Sequence, residues 1–532
     1  MVKNSAVCAG AQCALQQMMI MIMIMINTLA QMTDTTPPAP RDRRFASAAW
    51  QAWPFAVMSQ NFLWAEQWWR DATQGMPGIS DHQRAQISFA AQQMVDLASP
   101  ANFIWSNPEV LARTALTGGA NLWQGARNWL DDEKRLQTQA PPPGAGEFEV
   151  GKSVAVTPGQ VIYRNRLIEL IQYEPTGGMV RPEPILIVPA WIMKYYILDL
   201  SPGNSLIKYL VDQGHTVFAI SWLNPTADER DLGMADYQRL GVMDALNAVN
   251  SVVPGQKVHA LGYCLGGTLL AIAAATMGRD GDARLASLSL LAAQTDFTEP
   301  GELSLFIDEP QIKALEAMMA SKGYLDSQQM ASAFVLINAK DLLWSRMLKD
   351  YLLGERAPLS DMMAWNADGT RLPCRMHSQY LRRLFLHNEL ANGHYPVDGH
   401  AVNLRDVQCP VFCLGTVRDQ VAPWRSVYKL HRLTVADITF VLTSGGHNVG
   451  IVNPPGVPGR SYQMLTRARG DLCLAPDDWL EAASHHDGSW WPAWLAWLQA
   501  RSGEMIMAPS MGAPAQGLPP ICPAPGTYVL QR

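Results

Sequence analysis

The sequence predicts an α/β fold: a parallel sheet covered by helices on both faces, carrying a helical cap insertion and preceded by a separate helical N-terminal domain. Three observations predict it. From about residue 151 onward, short apolar runs alternate with helical stretches, the rhythm of strand–helix–strand units. Between about 301 and 403 that rhythm breaks into Met-, Leu- and Trp-rich helical sequence, and an insertion before the last strands of such a sheet commonly caps a cleft. Residues 42–133 read as helical and aromatic, and Pro141-Pro142-Pro143-Gly144-Ala145-Gly146 follows, which cannot continue a helix.

The predicted division is a low-complexity, disordered extension (1–41), a helical N-terminal domain (42–140), a linker (141–150) and an α/β domain (151–532) with the cap at about 301–403. In the helical domain, Phe62-Leu63-Trp64 and then Trp68 and Trp69 fall at helical intervals. In the α/β domain, Ile185-Leu186-Ile187-Val188 reads as a strand ending at Pro189. Ser205 to Asp212 reads as a helix and Thr216 to Ile220 as the next strand. Val258 to Leu261 is a strand, and Leu265 to Met277 a helix closed by Gly278. Leu285 to Leu291, Val411 to Leu414 and Ile438 to Leu442 complete the set of short buried strands.

Composition narrows the function classes. A chain of 532 residues is long for one domain, and 48% hydrophobic against 17% charged residues allows a large core. The net charge of −6, with no basic block, argues against nucleic acid and against a charged membrane surface. The 18 tryptophans are expected mainly in core and interface packing. Eight scattered cysteines without a CxxC pair fit reduced thiols in a cytosolic enzyme rather than zinc or a disulfide framework. Met18 to Ile26 is an unbroken Met/Ile run, far short of the roughly 20 residues a transmembrane helix needs. It also lacks the basic flank and cleavage site of a signal peptide, so no transmembrane span is expected.

The chemistry centres on Gly262-Tyr263-Cys264-Leu265-Gly266, a G-x-nucleophile-x-G string between a strand and a helix. It has the form of the nucleophile elbow of the α/β-hydrolase fold, the fold class expected here. Its glycines matter because the nucleophile sits in a strained turn where flanking side chains would clash. The turn lifts the thiol clear of the sheet and aims the positive end of the helix at the sulfur. A buried structural cysteine beside a tight turn is the competing reading. In this fold an acid and then a histidine follow the nucleophile. Asp419 comes just after the Val411 run, and His447 lies in Ser444-Gly445-Gly446-His447-Asn448 just after the Ile438 run. Asp419 would hold the imidazole tautomer while His447 takes the thiol proton. An Arg418-paired loop aspartate and a surface histidine are the competing readings of these two. The oxyanion hole is expected to use the backbone N–H of Leu265 and a second from Ile192 or its neighbour Trp191. His485-His486 has no matching carboxylate or Cys spacing and reads as a solvated loop rather than a metal site.

Several strings together resemble the polyhydroxyalkanoate (poly-3-hydroxybutyrate) synthase family. Gly262-Tyr263-Cys264-Leu265-Gly266-Gly267-Thr268 resembles its lipase-like box. Lys194 to Leu200, Ser221-Trp222-Leu223-Asn224-Pro225, and Trp365-Asn366-Ala367-Asp368-Gly369-Thr370 are similar to family signatures. So are Pro423-Trp424, Val452-Asn453-Pro454-Pro455 and Ala524-Pro525-Gly526-Thr527-Tyr528-Val529, while Asn102-Phe103 and Asn107-Pro108-Glu109 resemble its helical N-terminal domain. The resemblance runs from about Asp42 to the C-terminus and is closest to the single-subunit long form. Because it begins after Met32, that residue is expected to be an alternative translation start, which N-terminal sequencing of the natural protein checks.

The resemblance implies that Cys264 accepts a 3-hydroxyacyl group from coenzyme A and that a chain hydroxyl then attacks the acyl-enzyme, with His447 serving both half-reactions. It implies a coenzyme A thioester as substrate with no cofactor, a homodimer, and residence in the cytoplasm at the polyester granule surface. The pattern leans toward short-chain acyl groups. Two positions depart from the family: Gln420 stands where a His commonly follows the acid, and Met193 replaces an Asn. A thioesterase or intracellular polyester depolymerase of the same fold is one alternative; a non-catalytic granule-coat protein is another. Thiol in place of hydroxyl at the elbow disfavours the first, and the complete Cys264-Asp419-His447 set disfavours the second.

Overall fold

The structure, a computed structural model, describes residues 42–532 apart from 75, 77, 139 and 338–342, with the side chains of 333–337 also undescribed. The Met/Ile run and Met32 lie outside the described residues. The chain divides into two compact units, one of residues up to Lys134 with Ala339–Ala357, the other of Arg135–Asn338 with Pro358–Arg532.

The first unit is built on α1 (Phe55–Gln74), α2 (Asp81–Leu97), α3 (Pro108–Thr117) and α4 (Ala120–Thr138). Local chemistry starts and stops these helices. Ser80 and Gln83 form a capping box at α2, the Asn107 side chain accepts from the first amides of α3, and left-handed Gly118 ends α3. Arg44 pairs with the buried carboxylates of Glu66 and Asp96, each at 2.6 Å, next to a small core of Phe45 and Trp50. The segment ending at Ala357 differs from expectation. It reads in sequence as part of the cap, yet it packs on α4: Asn121 and Asn128 donate to the Leu352 and Asp350 carbonyls, both at 2.8 Å. Gly125 makes that approach possible, since a Cβ there would lie 1.7 Å from the Tyr351 carbonyl oxygen. The division also falls within α4, between Lys134 and Arg135, rather than at the proline stretch.

The second unit is organised by a twelve-stranded sheet. Its strands are β1 (Gly159–Arg164), β2 (Ile168–Tyr173), β3 (Met179–Val188), β4 (His215–Trp222), β5 (Val258–Tyr263), β6 (Leu285–Leu291), β7 (Val411–Thr416), β8 (Ile438–Thr443), β9 (Ser461–Arg467) and β10 (Ser484–Asp487), with short pieces at Ile506–Met507 and Cys522–Pro523. The spatial order is β10-β9-β8-β7-β6-β5-β3-β4-β2-β1, then Cys522–Pro523. The six expected strands, β3 to β8, form the parallel centre. The antiparallel wings β1–β2 and β9–β10 were not anticipated. β9 and β10 are half-exposed or exposed along their length, and β2, though buried throughout, is interrupted by Glu169 and Gln172, so neither wing shows the near-continuous apolar run of the centre. His485 and His486 accordingly sit on edge strand β10, where His486 stacks on Tyr462, and not in a loop.

Helices cover both faces. On one, Trp490, Trp491 and Trp494 are fully buried, with Trp490, Trp494 and Trp497 against Phe412 of β7. On the other runs the elbow helix, Leu265–Arg279, buried all round from Leu265 to Met277. The tryptophans packed on the sheet are buried, whereas in the first unit Trp50 is buried but Trp53, Trp105 and Trp123 are 83%, 72% and 70% exposed. No helix among the described residues is long and apolar enough to cross a membrane. The expected cap is helical, containing Glu309–Lys322, Ser327–Ile337, Asp361–Asn366 and Cys374–Tyr380 between β6 and β7.

Gly278 does not close the elbow helix. The helix continues to Arg279 and ends through left-handed Gly281, with the Asp282 amide reaching back to the Met277 carbonyl at 2.8 Å. Gly278 instead admits the Asp406 carbonyl, which would lie 1.8 Å from any Cβ. Gly278→Ala is therefore expected to destabilise the fold by about 1–3 kcal/mol, read as a lower urea midpoint. An unchanged midpoint contradicts this packing.

Candidate active site

The site grows from one turn. β5 ends at Tyr263, the elbow helix begins at Leu265, and Cys264 between them has φ +51° and ψ −124°. Such a conformation costs about 1–3 kcal/mol in a non-glycine residue and persists only where its surroundings impose it. Here three glycines let backbone close in. A Cβ on Gly262 would lie 2.4 Å from Gly267 Cα, one on Gly266 2.3 Å from the Val188 carbonyl oxygen, and one on Gly267 2.5 Å from Ala293 Cβ. The Cys264 amide donates to the Leu291 carbonyl at the end of β6, at 2.9 Å. The turn is thus wedged between the ends of β3 and β6, with the half-buried thiol at the head of the helix.

β7 and β8 deliver the partners. Asp419, just beyond β7, has a fully buried side chain. Its Oδ1 accepts from the Val421 and Ala422 amides at 2.9 and 2.8 Å, and its Oδ2 from Thr416 Oγ1 at 3.1 Å and His447 Nδ1 at 2.8 Å. A carboxylate accepts only, so the geometry requires the proton on Nδ1 and leaves Nε2 for the other side of the ring. Cys264 also acts on the imidazole. Burial disfavours the imidazolium, but the facing Asp419 carboxylate and Cys264 outweigh it and hold His447 well above its ordinary value. The structure therefore brings Cys264, Asp419 and His447 into one constellation, an arrangement able to pass the thiol proton to an oriented base.

The remaining expected residues flank it. Leu265 is the first residue of the elbow helix, so its amide is one of the donors a helix N-terminus leaves unpaired. Ile192 lies in the loop after β3, and its carbonyl accepts from the Thr370 amide at 3.0 Å. Met193 in that loop bridges to Gly369. Gln420 has an exposed side chain, while its carbonyl would lie 2.4 Å from a Cβ on Gly301.

Other neighbours were not foreseen. The Tyr263 ring lies 5.6 Å from the His447 ring, and its hydroxyl donates to Asn448 Oδ1 at 2.6 Å. Asn448 reaches on to Asn366 of the cap at 3.4 Å. Both asparagines sit inside or beside strings already notable in the sequence, so adjacency to His447 was the available signal. Tyr380 of the cap packs with Phe297 and Phe385, and burial first, then its nearness to Cys264, pushes its hydroxyl up. No sequence pattern connects that tyrosine with the elbow.

The pH behaviour follows from the raised His447. Its pairing with Asp419 stabilises the fold fully below the unfolded value near 6.5 and loses that contribution as pH rises through the folded value. Asp419→Asn removes the carboxylate, so the His447 titration followed by ring NMR is expected to move down toward 6.5. A titration that stays put contradicts the assigned pairing.

Comparison with known proteins agrees with this architecture. A family profile described as poly-beta-hydroxybutyrate polymerase (PhaC) N-terminus matches residues 41–210, and one described as alpha/beta hydrolase fold matches 183–454. The chain is 42% identical over 500 residues to the poly(3-hydroxyalkanoate) polymerase of Methylorubrum extorquens, covering 93% of this chain and 82% of that one. It is 37% identical to the poly(3-hydroxyalkanoate) polymerase subunit PhaC of Rhizobium etli, covering 96% and 80%, and 35% identical to that of Cupriavidus necator, covering 92% and 83%. With an elbow cysteine, a buried Asp–His pair and this similarity across nearly its whole described length, the chain belongs to the poly(3-hydroxyalkanoate) polymerase family.

Proposed function

We propose that this protein polymerises (R)-3-hydroxyacyl groups from coenzyme A thioesters into a polyester through an acyl-enzyme on Cys264. The observation that carries the reading is the His447 imidazole held between the Asp419 carboxylate and the elbow thiol in a chain of this family. His447 Nε2 takes the Cys264 proton, and the sulfur attacks the thioester carbonyl. The Cys264 S–acyl bond forms, the bond from acyl to coenzyme A breaks, and the coenzyme leaves as its thiol with the proton from His447. The hydroxyl of a growing chain then gives its proton to His447 and attacks the acyl-enzyme. An ester bond forms, and Cys264 is released and reprotonated.

The Leu265 and Ile192 amides would receive the negative oxygen of each tetrahedral intermediate. Thioester-to-thioester exchange is nearly balanced, which suits a cysteine, and the cap residues Tyr380 and Phe385, with Phe297 from the loop after β6, favour transfer over attack by water. Side chains and backbone alone carry these steps. We infer further that the enzyme works in the cytoplasm as a homodimer at the polyester granule surface, where the exposed tryptophans of the first unit offer apolar area to the polymer.

Purified protein incubated with 3-hydroxybutyryl-CoA is expected to release thiol and form insoluble polymer together, and Cys264→Ala to abolish both. Thiol with only monomeric acid would establish a hydrolase, and no thiol from short- or longer-chain substrates would favour a coat protein. The combined variant W53S/W105S/W123S is expected to partition onto isolated polymer at least about tenfold less while keeping its turnover of soluble substrate. Unchanged partition refutes the adhesive role of those three residues.

A further inference from the structure

Four of the family-like strings take no part in the chemistry above, yet they converge at one place. The Lys194 side chain, only 3% exposed with its residue, donates from Nζ to the Gln531 carbonyl at 2.7 Å and the Tyr528 carbonyl at 3.3 Å. Asn224 grips the same tail. Its amide donates to Gln531 Oε1 at 2.9 Å, and its Oδ1 accepts from the Arg371 amide at 2.9 Å. Upstream, the buried Glu169 carboxylate accepts from the Thr527 and Tyr528 amides at 2.8 and 2.9 Å. From the cap, Trp365 Nε1 donates to the Lys194 carbonyl at 2.7 Å. Thr370 donates to the Ile192 carbonyl through its amide and to the Trp191 carbonyl through its hydroxyl.

The loop from Trp191 to Lys194 is therefore tied on one side to residues 365–370 and on the other to the tail at 528–531. We propose that Lys194 is a positioning residue: by clasping the C-terminal tail it fixes the loop that presents the Ile192 amide to the reacting carbonyl. A buried ammonium is a costly way to satisfy two carbonyls. Burial, opposed by Asp368 and reinforced by Arg371 and Arg532, lowers this lysine to about 8. What the lysine adds over an apolar residue is a directional link between two segments far apart in the chain. An oxyanion donor stabilises the transition state rather than the bound substrate, so loosening it lowers kcat and spares KM.

The inference rests on the polymerase reading, and the test separates the two. Thiol release from 3-hydroxybutyryl-CoA is measured for the full chain, for Lys194→Met, for Lys194→Arg and for a chain ending at Leu530. Each rate is divided by the sites titrated with labelled iodoacetamide at Cys264. Lys194→Met and the shortened chain are each expected to lose about ten- to hundredfold in kcat, with KM within about twofold. Lys194→Arg is expected to recover part of the loss, and the two changes combined to lose no more than the larger alone. A purely structural role would lower the titratable fraction while leaving kcat per site unchanged, and that result overturns the proposal. If Lys194→Met does not fold, the shortened chain decides alone, since it removes the Gln531 acceptor at an exposed end. Absence of turnover by the unaltered chain overturns the functional reading and this inference with it.

Discussion

The catalytic unit depends on one close approach, that of the first turn of the elbow helix to the ends of β3 and β6. Only there is the positive φ of Cys264 imposed, because the Val188 carbonyl and Ala293 crowd Gly266 and Gly267 to distances no side chain would permit. The strain is local and the restraint is not. It comes from parallel pairing of β5 between β3 and β6, which sets strand ends and helix start in register. The thiol stands clear of the sheet because the backbone beneath it has nowhere else to go.

The same sheet delivers the electrostatics. β7 and β8 are parallel neighbours, and the loops leaving their carboxyl ends carry Asp419 and His447 to adjacent positions. Two backbone amides and a threonine hydroxyl hold the carboxylate, so it accepts the imidazole Nδ1 proton without turning. Orientation and charge then work together: the carboxylate that selects the tautomer also raises the basicity of the ring facing Cys264. The hydroxyl of Tyr263 donates to Asn448, which reaches Asn366, so the box and the cap share one hydrogen-bonded path beside the His447 ring.

Much of this was legible because the relevant signals are local. A strand buried on both faces usually reads as a near-continuous apolar run; β3, β4 and β7 each hold one, and β5, β6 and β8 are broken only by single polar residues. An elbow needs glycines on both sides of its nucleophile, and a chain-order rule then points to the acid and the histidine. The errors fall where local pattern and tertiary demand diverge. Gly278 looks like a helix terminator because glycine usually is one, but here it is a contact surface for Asp406. The segment up to Ala357 has the composition of a cap and packs on α4, since Gly125 and two asparagines on that helix receive its backbone. The outer strands went unread because β9 and β10 are half-exposed and carry no strong period, while the buried β2 is broken by Glu169 and Gln172.

By itself the sequence determined the parallel strand set, the places of Cys264, Asp419 and His447 just after β5, β7 and β8, and the presence of a helical domain ahead of them. Each follows from residue types at short spacing, where backbone sterics and burial leave few options. Only the tertiary structure decided which tautomer Asp419 selects, that Tyr263 and Asn448 join the box to the cap, and that the tail at 528–531 closes over Lys194. Those contacts join residues tens to hundreds of positions apart. Their partners are set by how the sheet and its crossovers bring strand ends together, and no spacing along the chain encodes that distance.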